Sequence, residues 1–559
     1  MKKKILFLVF GLIIFQTKIF AQCNQTTASD TLDVNNINAL IMNGGDMWWN
    51  RALGAAHYYV PKANRVSTLF AGAIWMGGYD AAGQLHVAAQ TYRQGGNDYF
   101  SGPLDATGNV NTNTCSQYDK IWKIYATDIA THISNAMHTI ANTPTSLLEW
   151  PAKGNPYAKG AFGSSLTINQ TLAPFIDVNN DGIYNPLDGD YPNICGDEAL
   201  WYVINDKGNT HTESSGMPLG VEIQCMAYSF SSANAAINNT TFYKYYIVNK
   251  SNYVYDSFHF GIWVDYDLGC YTDDYFGSDS SRQMFIAYNS TATDNPCPIG
   301  YGTNIPMQGI ALLNAKNYNL NANYKTKGIY FYANGSGYSG NPTQATQYYQ
   351  YLTGSWLDGT HLTYGGNGHG GTITSNYAFP SSPSLSGTNP SNGQPYWSWC
   401  NPTQTPSDLR SLISVGPIKL RPGDTTELDF AAITHWRDVY PCPSFAGIEA
   451  ARDSVFAFYN TLSCGKYGSQ STGVNSVSSH ENSFSVYPNP TNNKVYINNP
   501  SHESFTVHIF DVTGKELQHQ NCSQSINEID LTDYNSGIYF YSIENKSTTI
   551  LQRGKLVKQ

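Results

Sequence analysis

The chain has 559 residues, which suggests three or four domains and leaves ample apolar sequence to bury. Charged residues make up only 13%, against about a quarter in average proteins, while aromatics reach 14% with 41 Tyr. A net charge of −10 with no basic face excludes nucleic acid as a partner, and the Tyr-rich, Asn/Gly/Ser/Thr-rich text points to β-structure with many turns.

Lys2, Lys3 and Lys4 precede an apolar run from Ile5 to Phe15, and a short polar stretch leads to Ala21. This is the pattern of a secretory signal peptide over residues 1–21, with cleavage expected after Ala21. The run is too short to span a bilayer, and no later stretch is apolar enough to do so. Cys23 raises the question of a lipoprotein, but Gln22 stands where a lipobox needs a small residue. The ten cysteines (23, 115, 195, 225, 270, 297, 400, 442, 464 and 522) permit disulfides in an exported chain, with connectivity open. Cys522 lies in a different domain from the others.

The body is expected over 22–464, as one unit or as two subdomains divided near residue 170. Two helices are predicted. Ile121, Tyr125, Ile129, Ile133, Met137 and Ile140 recur at helical spacing before Pro144, and Phe445, Ile448, Ala451, Val455, Phe458 and Leu462 do the same near the body's end. Both stripes are read as core. Elsewhere short apolar runs alternate with turn signals: Thr241–Asn249, Ser257–Val264, Gly328–Ala333 and Ser411–Ile418, the last followed by Pro422-Gly423. The predicted fold class is mainly β, a β-sandwich-like body with a few helices.

Residues 177–190 read DVNNDGIYNPLDGD. Asp177, Asn179 and Asp181 fall at positions 1, 3 and 5 of a calcium loop, with Gly182 at the turn. Ile183 would offer its carbonyl at 7, with Asn185 at 9 and Asp188 at 12. Calcium takes six to eight hard oxygens, and alternate positions of a tight loop aim them inward. Asp in place of Glu at 12, and prolines at 174 and 186, make this an isolated loop rather than a helix-flanked one. A second acidic cluster, Asp265, Asp267, Asp273, Asp274 and Asp279, follows an apolar strand and fits no standard template. Ca2+ is the expected cofactor of both, in a structural role, with affinity of about 0.1–1 mM as in other extracellular modules.

No HExxH, GxSxG, P-loop or Cys-His signature is present. His211-Thr212-Glu213, the carboxylates Glu198, Glu213 and Glu222, and the glycine-rich run 365–371 are weak alternatives. Two aromatic groups, Tyr348, Tyr349, Tyr351 and Trp356, and Tyr396, Trp397 and Trp399, would bind sugars or partners if exposed and would be core if not.

Residues 465–482 have linker composition. From Ser483 the text predicts a small immunoglobulin-like β-sandwich, with strands near 494–498, 505–510, 526–531, 537–543 and 549–557. Four features are distinctive: Tyr487-Pro488-Asn489-Pro490, Asp511-Val512-Thr513-Gly514-Lys515, Ser536-Gly537-Ile538-Tyr539 and the terminal Lys555-Leu556-Val557-Lys558. In order, spacing and terminal position they resemble the type A sorting domain of the type IX secretion system of Bacteroidota. The resemblance implies an address read by the secretion machinery at the outer membrane, usually removed there, with the cargo attached to surface lipopolysaccharide or released. The acidic loops, Phe70–Gly78, Ala89–Asp98 and Gly416–Asp424 are similar to a family of large exported Bacteroidota proteins with no established activity.

Together these readings give a secreted or outer-membrane surface protein that passes through the periplasm. Its body is expected to be calcium-stabilised, with a structural or adhesive role toward an extracellular glycan or protein. The alternative is a secreted hydrolase acting on extracellular polysaccharide or protein. The missing motifs lean away from an enzyme without deciding the point. A deep cleft with converging carboxylates would favour the hydrolase.

Overall fold

A computed structural model describes residues 22–559 apart from 295–296, 298, 402, 437, 466–468, 472–483, 500–503, 512–514 and 546–549. The predicted signal peptide, most of the predicted linker and Gly514 therefore lie outside the described residues. The fold is mainly β and falls into two compact units, 1–470 and 471–559.

The body is built on two large antiparallel sheets. The first has nine strands, whose main path is Ser29–Leu32, Asn38–Met42, Asp46–Met47, Ala71–Tyr79, Tyr255–Asp265, Leu409–Leu420 and Thr326–Ala333. The second has ten, and its path runs Trp122–Tyr125, Glu198–Asn205, Val221–Ser229, Thr240–Asn249, Thr425–His435, Met307–Asn317, Met284–Asn289 and Asp274–Asp279. The sheets pack face to face. Phe260 of the first sheet sits between Tyr245 and Phe430 of the second, with ring centroids 5.4 and 5.9 Å away, and the Trp48 indole donates to the Tyr243 hydroxyl at 2.8 Å. Each ring fully buried this way stabilises the fold by roughly 1.5–3 kcal/mol.

Central strands are buried on both faces, which explains why text such as TFYKYYIVN shows no polar–apolar alternation. The outer face of the first sheet is covered by the helix Ala345–Thr353, where Gly261 permits close approach: a Cβ there would meet Leu352 Cδ2 at 2.9 Å. The outer face of the second sheet is covered by Ala446–Tyr459, which buries Ile448, Ala451 and Val455 as its periodicity predicted.

The other predicted helix is corrected. Residues 122–125 form a strand paired with Glu198–Trp201, and only Ala126–Ser134 is helical. Trp122 and Ile124 alternate into the core, whereas Ile133, Met137 and Ile140 are 54%, 72% and 60% exposed. Strand pairing took the first half of an apolar stripe whose second half meets solvent.

Disulfides join Cys23–Cys115, Cys195–Cys464, Cys270–Cys297 and Cys400–Cys442, while Cys225 and Cys522 are free and buried. No helix among the described residues is long and apolar enough to cross a membrane.

The C-terminal unit stacks a sheet of Ser485–Tyr487, Lys494–Asn498 and Ile526–Asp530 and a sheet of Glu516–Cys522, Phe505–Phe510, Gly537–Asn545 and Ile550–Lys558 around one core. Strands 485–487 and 516–522 were not foreseen. The second is largely exposed and polar, so it carries no apolar period.

Candidate functional site

Strand register builds the most developed site in the body. Asp265 is the Cα partner of Arg410, and Arg410 is the partner of Tyr332, so the three side chains form a row across adjacent strands on the outer face of the first sheet. The row ends in a cleft of about 580 Å³ walled by Trp49, Phe70, Tyr92, Trp263 and Tyr348. Its rings are braced by their neighbours: Trp49 lies 4.9 Å from Phe70, and Tyr92 lies 5.2 Å from Trp263.

The cleft is polar at its centre. Arg410 Nη2 stands 3.1 Å from Asp265 Oδ2 and donates to the Tyr92 hydroxyl at 2.9 Å, and Tyr92 in turn donates to Asp265 Oδ2. Arg410 Nη1 pairs with Asp408, whose other oxygen accepts from Asn334 Nδ2 at 2.7 Å. Asp267 completes a cluster in which carboxylate oxygens of Asp265, Asp267 and Asp408 lie within 4.8 Å of one another. One guanidinium thus faces three carboxyls. Burial pushes Asp265 up to about 7 despite Arg410, and burial with the charges of Asp265 and Asp408 raises Asp267. Asp265 is 2% exposed, and its Oδ1 has no hydrogen-bond partner. Glu213 reaches the same cleft, accepts from Thr91 Oγ1 at 2.6 Å and Tyr348 Oη at 3.1 Å, and is raised by burial.

The five aspartates of the second predicted cluster do not converge. Asp265 and Asp267 join Asp408 in the cleft. Asp273 lies with Asp294 beside Cys270, whose sulfur is committed to the Cys270–Cys297 disulfide. Asp274 Oδ2 accepts from the Leu268 amide at 2.9 Å. Asp279 stands at the far end of its strand, where it pairs with Arg282 at 2.9 Å.

In the 177–190 loop, Asp177 Oδ1 accepts from the Asn180 and Asp181 amides at 2.7 and 3.2 Å, and Oδ2 from Gly182 at 2.8 Å. Gly182 takes the left-handed conformation, φ 78°, that the turn requires. Asp181 accepts from the Ile183 amide at 2.8 Å and from Asn179 Nδ2 at 3.0 Å, and exposed Asp188 accepts from Asn185 Nδ2 at 2.8 Å. The loop is closed by Asp190, which the template missed: buried, it accepts from the Val178 and Asn185 amides at 2.8 and 2.9 Å. Burial, with the charges of Asp177 and Asp181, pushes Asp190 up to about 6.

The weaker candidates resolve into structural roles. Both ring nitrogens of His211 lie 2.7 Å from carbonyl oxygens. Glu198 pairs with Lys123 at 2.7 Å, and Glu222 accepts from the Leu104 amide at 3.0 Å, both away from the cleft. Tyr349, Tyr351, Trp356, Trp397 and Trp399 are buried, so they are core rather than an exposed binding face, and of the two groups Tyr348, itself buried, lines the cleft. The Trp356 and Trp397 indoles hold the glycine-rich run through the Gly368 and Gly366 carbonyls at 3.0 and 2.9 Å.

In the C-terminal unit three of the four distinctive motifs meet on the last strand. Asn489 Nδ2 donates to the Lys555 carbonyl at 2.6 Å, and Asn489 Oδ1 accepts from the Val557 amide at 2.9 Å. Pro488 and Pro490 flank this clamp, and Tyr487 ends the strand before it. Gly537 pairs with Lys558, whose ammonium is buried against the Asn492 carbonyl at 2.7 Å. Lys515 donates its amide to Asp511 Oδ1 at 3.0 Å. Residues 485–559 match the model of the secretion system C-terminal sorting domain. The tail is a type IX sorting domain.

Its presence makes the chain an exported cargo of that system, secreted or displayed at the cell surface, and gives it the secretion machinery as a partner. No curated protein matches the chain. Solved structures that share some likeness with it include the following two. One is a polysaccharide lyase, at 8% identity and TM-score 0.17 over 60% of this chain and 34% of that one. The other is a β-glucuronidase from Ruminococcus gnavus in complex with uronic isofagomine, at 8% and 0.11 over 51% and 43%. The chain spans less than half the length of either, and likeness at this level says nothing of what lies upstream of the sorting domain.

Proposed function

We propose that the body is an extracellular glycan-binding protein, delivered by the sorting domain and acting through the cleft around Asp265. One observation carries this reading: a buried carboxylate with an unpartnered oxygen opens into an aromatic-walled cleft. A sugar offers hydroxyl donors to such an oxygen and C–H faces to the rings. A buried acceptor left without a donor costs free energy, so a ligand hydroxyl there gains more than a surface hydrogen bond would. Display through surface lipopolysaccharide would turn this cleft into an adhesive device, whereas release would make it a soluble lectin.

Calcium belongs to the same proposal. The 177–190 loop offers only hard oxygens from Asp177, Asn179, Asp181 and Asp190, which suits Ca2+ better than a transition metal. Its place is structural, bracing the loop.

A hydrolase is the second reading, favoured by Asp265, Asp267 and Glu213 in one cleft. Carboxyls with raised pKa values are what acid catalysis at a glycosidic oxygen uses. The test is binding of the purified protein to a panel of extracellular and capsular glycans, with Asp265→Asn and Arg410→Ala alongside. Saturable binding lost in both folded variants supports the glycan reading, and new reducing ends would move it to the hydrolase. A panel bound by neither wild type nor variants overturns it.

A further inference from the structure

Lys244 lies in the middle of the Thr240–Asn249 strand, whose ten residues are all buried, in the body but away from the cleft. Asp429 is its Cα partner on Thr425–His435, and Glu427 stands two residues before Asp429 on the same face. Lys244 Nζ is 3.0 Å from each of the two Asp429 oxygens. Only the contact to Oδ2 has hydrogen-bond geometry, and Oδ1 has no hydrogen-bond partner. A nitrogen 3.0 Å from both oxygens of a carboxyl lies within about 3.5 Å of its carbon, the separation that attack requires, and a tilt of the amine over the carboxyl plane supplies the trajectory. Glu427 pairs with the same Nζ and accepts from the Tyr318 hydroxyl, and the Tyr459 hydroxyl donates to Asp429 Oδ2. Lys244, Glu427 and Asp429 are 5%, 4% and 0% exposed, and Gly465 closes over the lysine, its Cβ position 3.5 Å from Lys244 Cε.

We propose that this cluster makes its own covalent cross-link, an amide between Lys244 Nζ and Asp429 Cγ, with Glu427 carrying the protons. Glu427 takes one proton from the Lys244 ammonium. The neutral amine attacks Cγ of the protonated Asp429 carboxyl, so that an N–C bond forms. Glu427 returns its proton to the departing hydroxyl, one C–O bond breaks and water leaves. The second amine proton passes to Glu427, which ends as a neutral acid beside the new amide. No oxidant, cofactor or second molecule is consumed.

The protonation pattern divides the roles and sets the slow step. Burial pushes Asp429 up to about 7, with Glu427 adding to the rise, which keeps the acid to be attacked protonated. At Glu427 burial raises the carboxyl, but the Lys244 charge and the hydrogen bonds from Asp429, Lys244 and Tyr318 together bring it down, and the anionic surroundings hold the Lys244 ammonium above its usual range despite burial, so the first proton transfer is uphill and limits the rate. Burial also supplies the driving force. Three buried ionisable groups, each costly to desolvate, become a neutral amide and a neutral acid, and the released water escapes to solvent.

The test is peptide mass spectrometry of the purified, fully denatured and reduced chain, alongside Glu427→Gln and Lys244→Arg. The wild type is expected to yield one branched species joining the 240–249 and 425–435 segments, lighter than their sum by one water. Lys244→Arg should yield none, and Glu427→Gln should lower the linked fraction at least about tenfold. A cooperatively folded, disulfide-bonded wild type that releases the two segments unlinked overturns the proposal. Full linkage in Glu427→Gln overturns the role of Glu427.

Discussion

Asp265 and Arg410 face each other across adjacent antiparallel strands, with guanidinium and carboxylate 3.1 Å apart and the Tyr92 hydroxyl bonded to both. Removing one partner of a buried pair leaves the other uncompensated. Arg410→Ala is expected to lower the stability of the body by about 3–5 kcal/mol at neutral pH. Denaturant unfolding checks this, and a loss under about 1 kcal/mol would show that the cleft is wetter than described.

Asp265 also sets a pH dependence. Its folded pKa, about 7, lies above the 3.8 of a free carboxyl, so between these values the folded state holds a proton that the unfolded state has lost. The contribution is fully present below the unfolded value and disappears as pH rises through the folded one. Asp265→Asn should therefore flatten the stability profile between roughly pH 4 and 7 relative to wild type. Parallel profiles for the two proteins would contradict the assignment.

Calcium in the 177–190 loop should raise the melting temperature, and chelator at matched ionic strength should lower it. At a free concentration of about 100 times Kd the gain is about 2.7 kcal/mol. Asp177→Ala should abolish the response, and magnesium should restore little of it. Because Asp190 is pushed up to about 6, protons compete with the ion and the protection should fade in more acidic buffer. Calorimetry across pH reads both effects.

The Cys195–Cys464 bridge closes a loop of sequence separation 269. In the chain-entropy account such a link is worth about 5 kcal/mol. The double Cys195→Ser, Cys464→Ser variant should melt well below wild type, and the loss should exceed that from opening Cys270–Cys297, whose separation is 27.

A chain truncated after Gln470 keeps the whole body unit. It should fold, bind as the full chain does, and fail to appear outside the cell. Asn489→Ala, which breaks the clamp on the last strand, should reduce export without altering the body's melting temperature. Immunoblots of medium and surface fractions decide both.

Much of the architecture could be read from the residues, because each sheet strand writes its burial locally. Thr241–Asn249 and Ser411–Ile418 announced themselves as runs of aromatic and β-branched residues, and the Phe445–Leu462 stripe keeps one period because one face meets one sheet. The site was less legible. Asp265 and Asp267 stood out as neighbours, but the groups that give them chemistry, Asp408 and Arg410, arrive through strand register from far downstream. Asp190 was missed because a template stopping at position 12 cannot see the residue that folds back to close the loop. Asp279 looked like part of a cluster by count, whereas a strand of six residues separates it from Asp274 at the other end.

The strands Leu409–Leu420 and Thr425–His435 are joined by a short turn, yet each lies in the interior of a different sheet. The first sheet lacks an interior strand until Leu409–Leu420 exists, and the second until Thr425–His435 does. At about 5–20 residues per second, Ala71–Tyr79 leaves the ribosome on the order of tens of seconds before His435 does. For that interval the early strands hold open edges and no finished core, and the body locks only once its late arch has emerged.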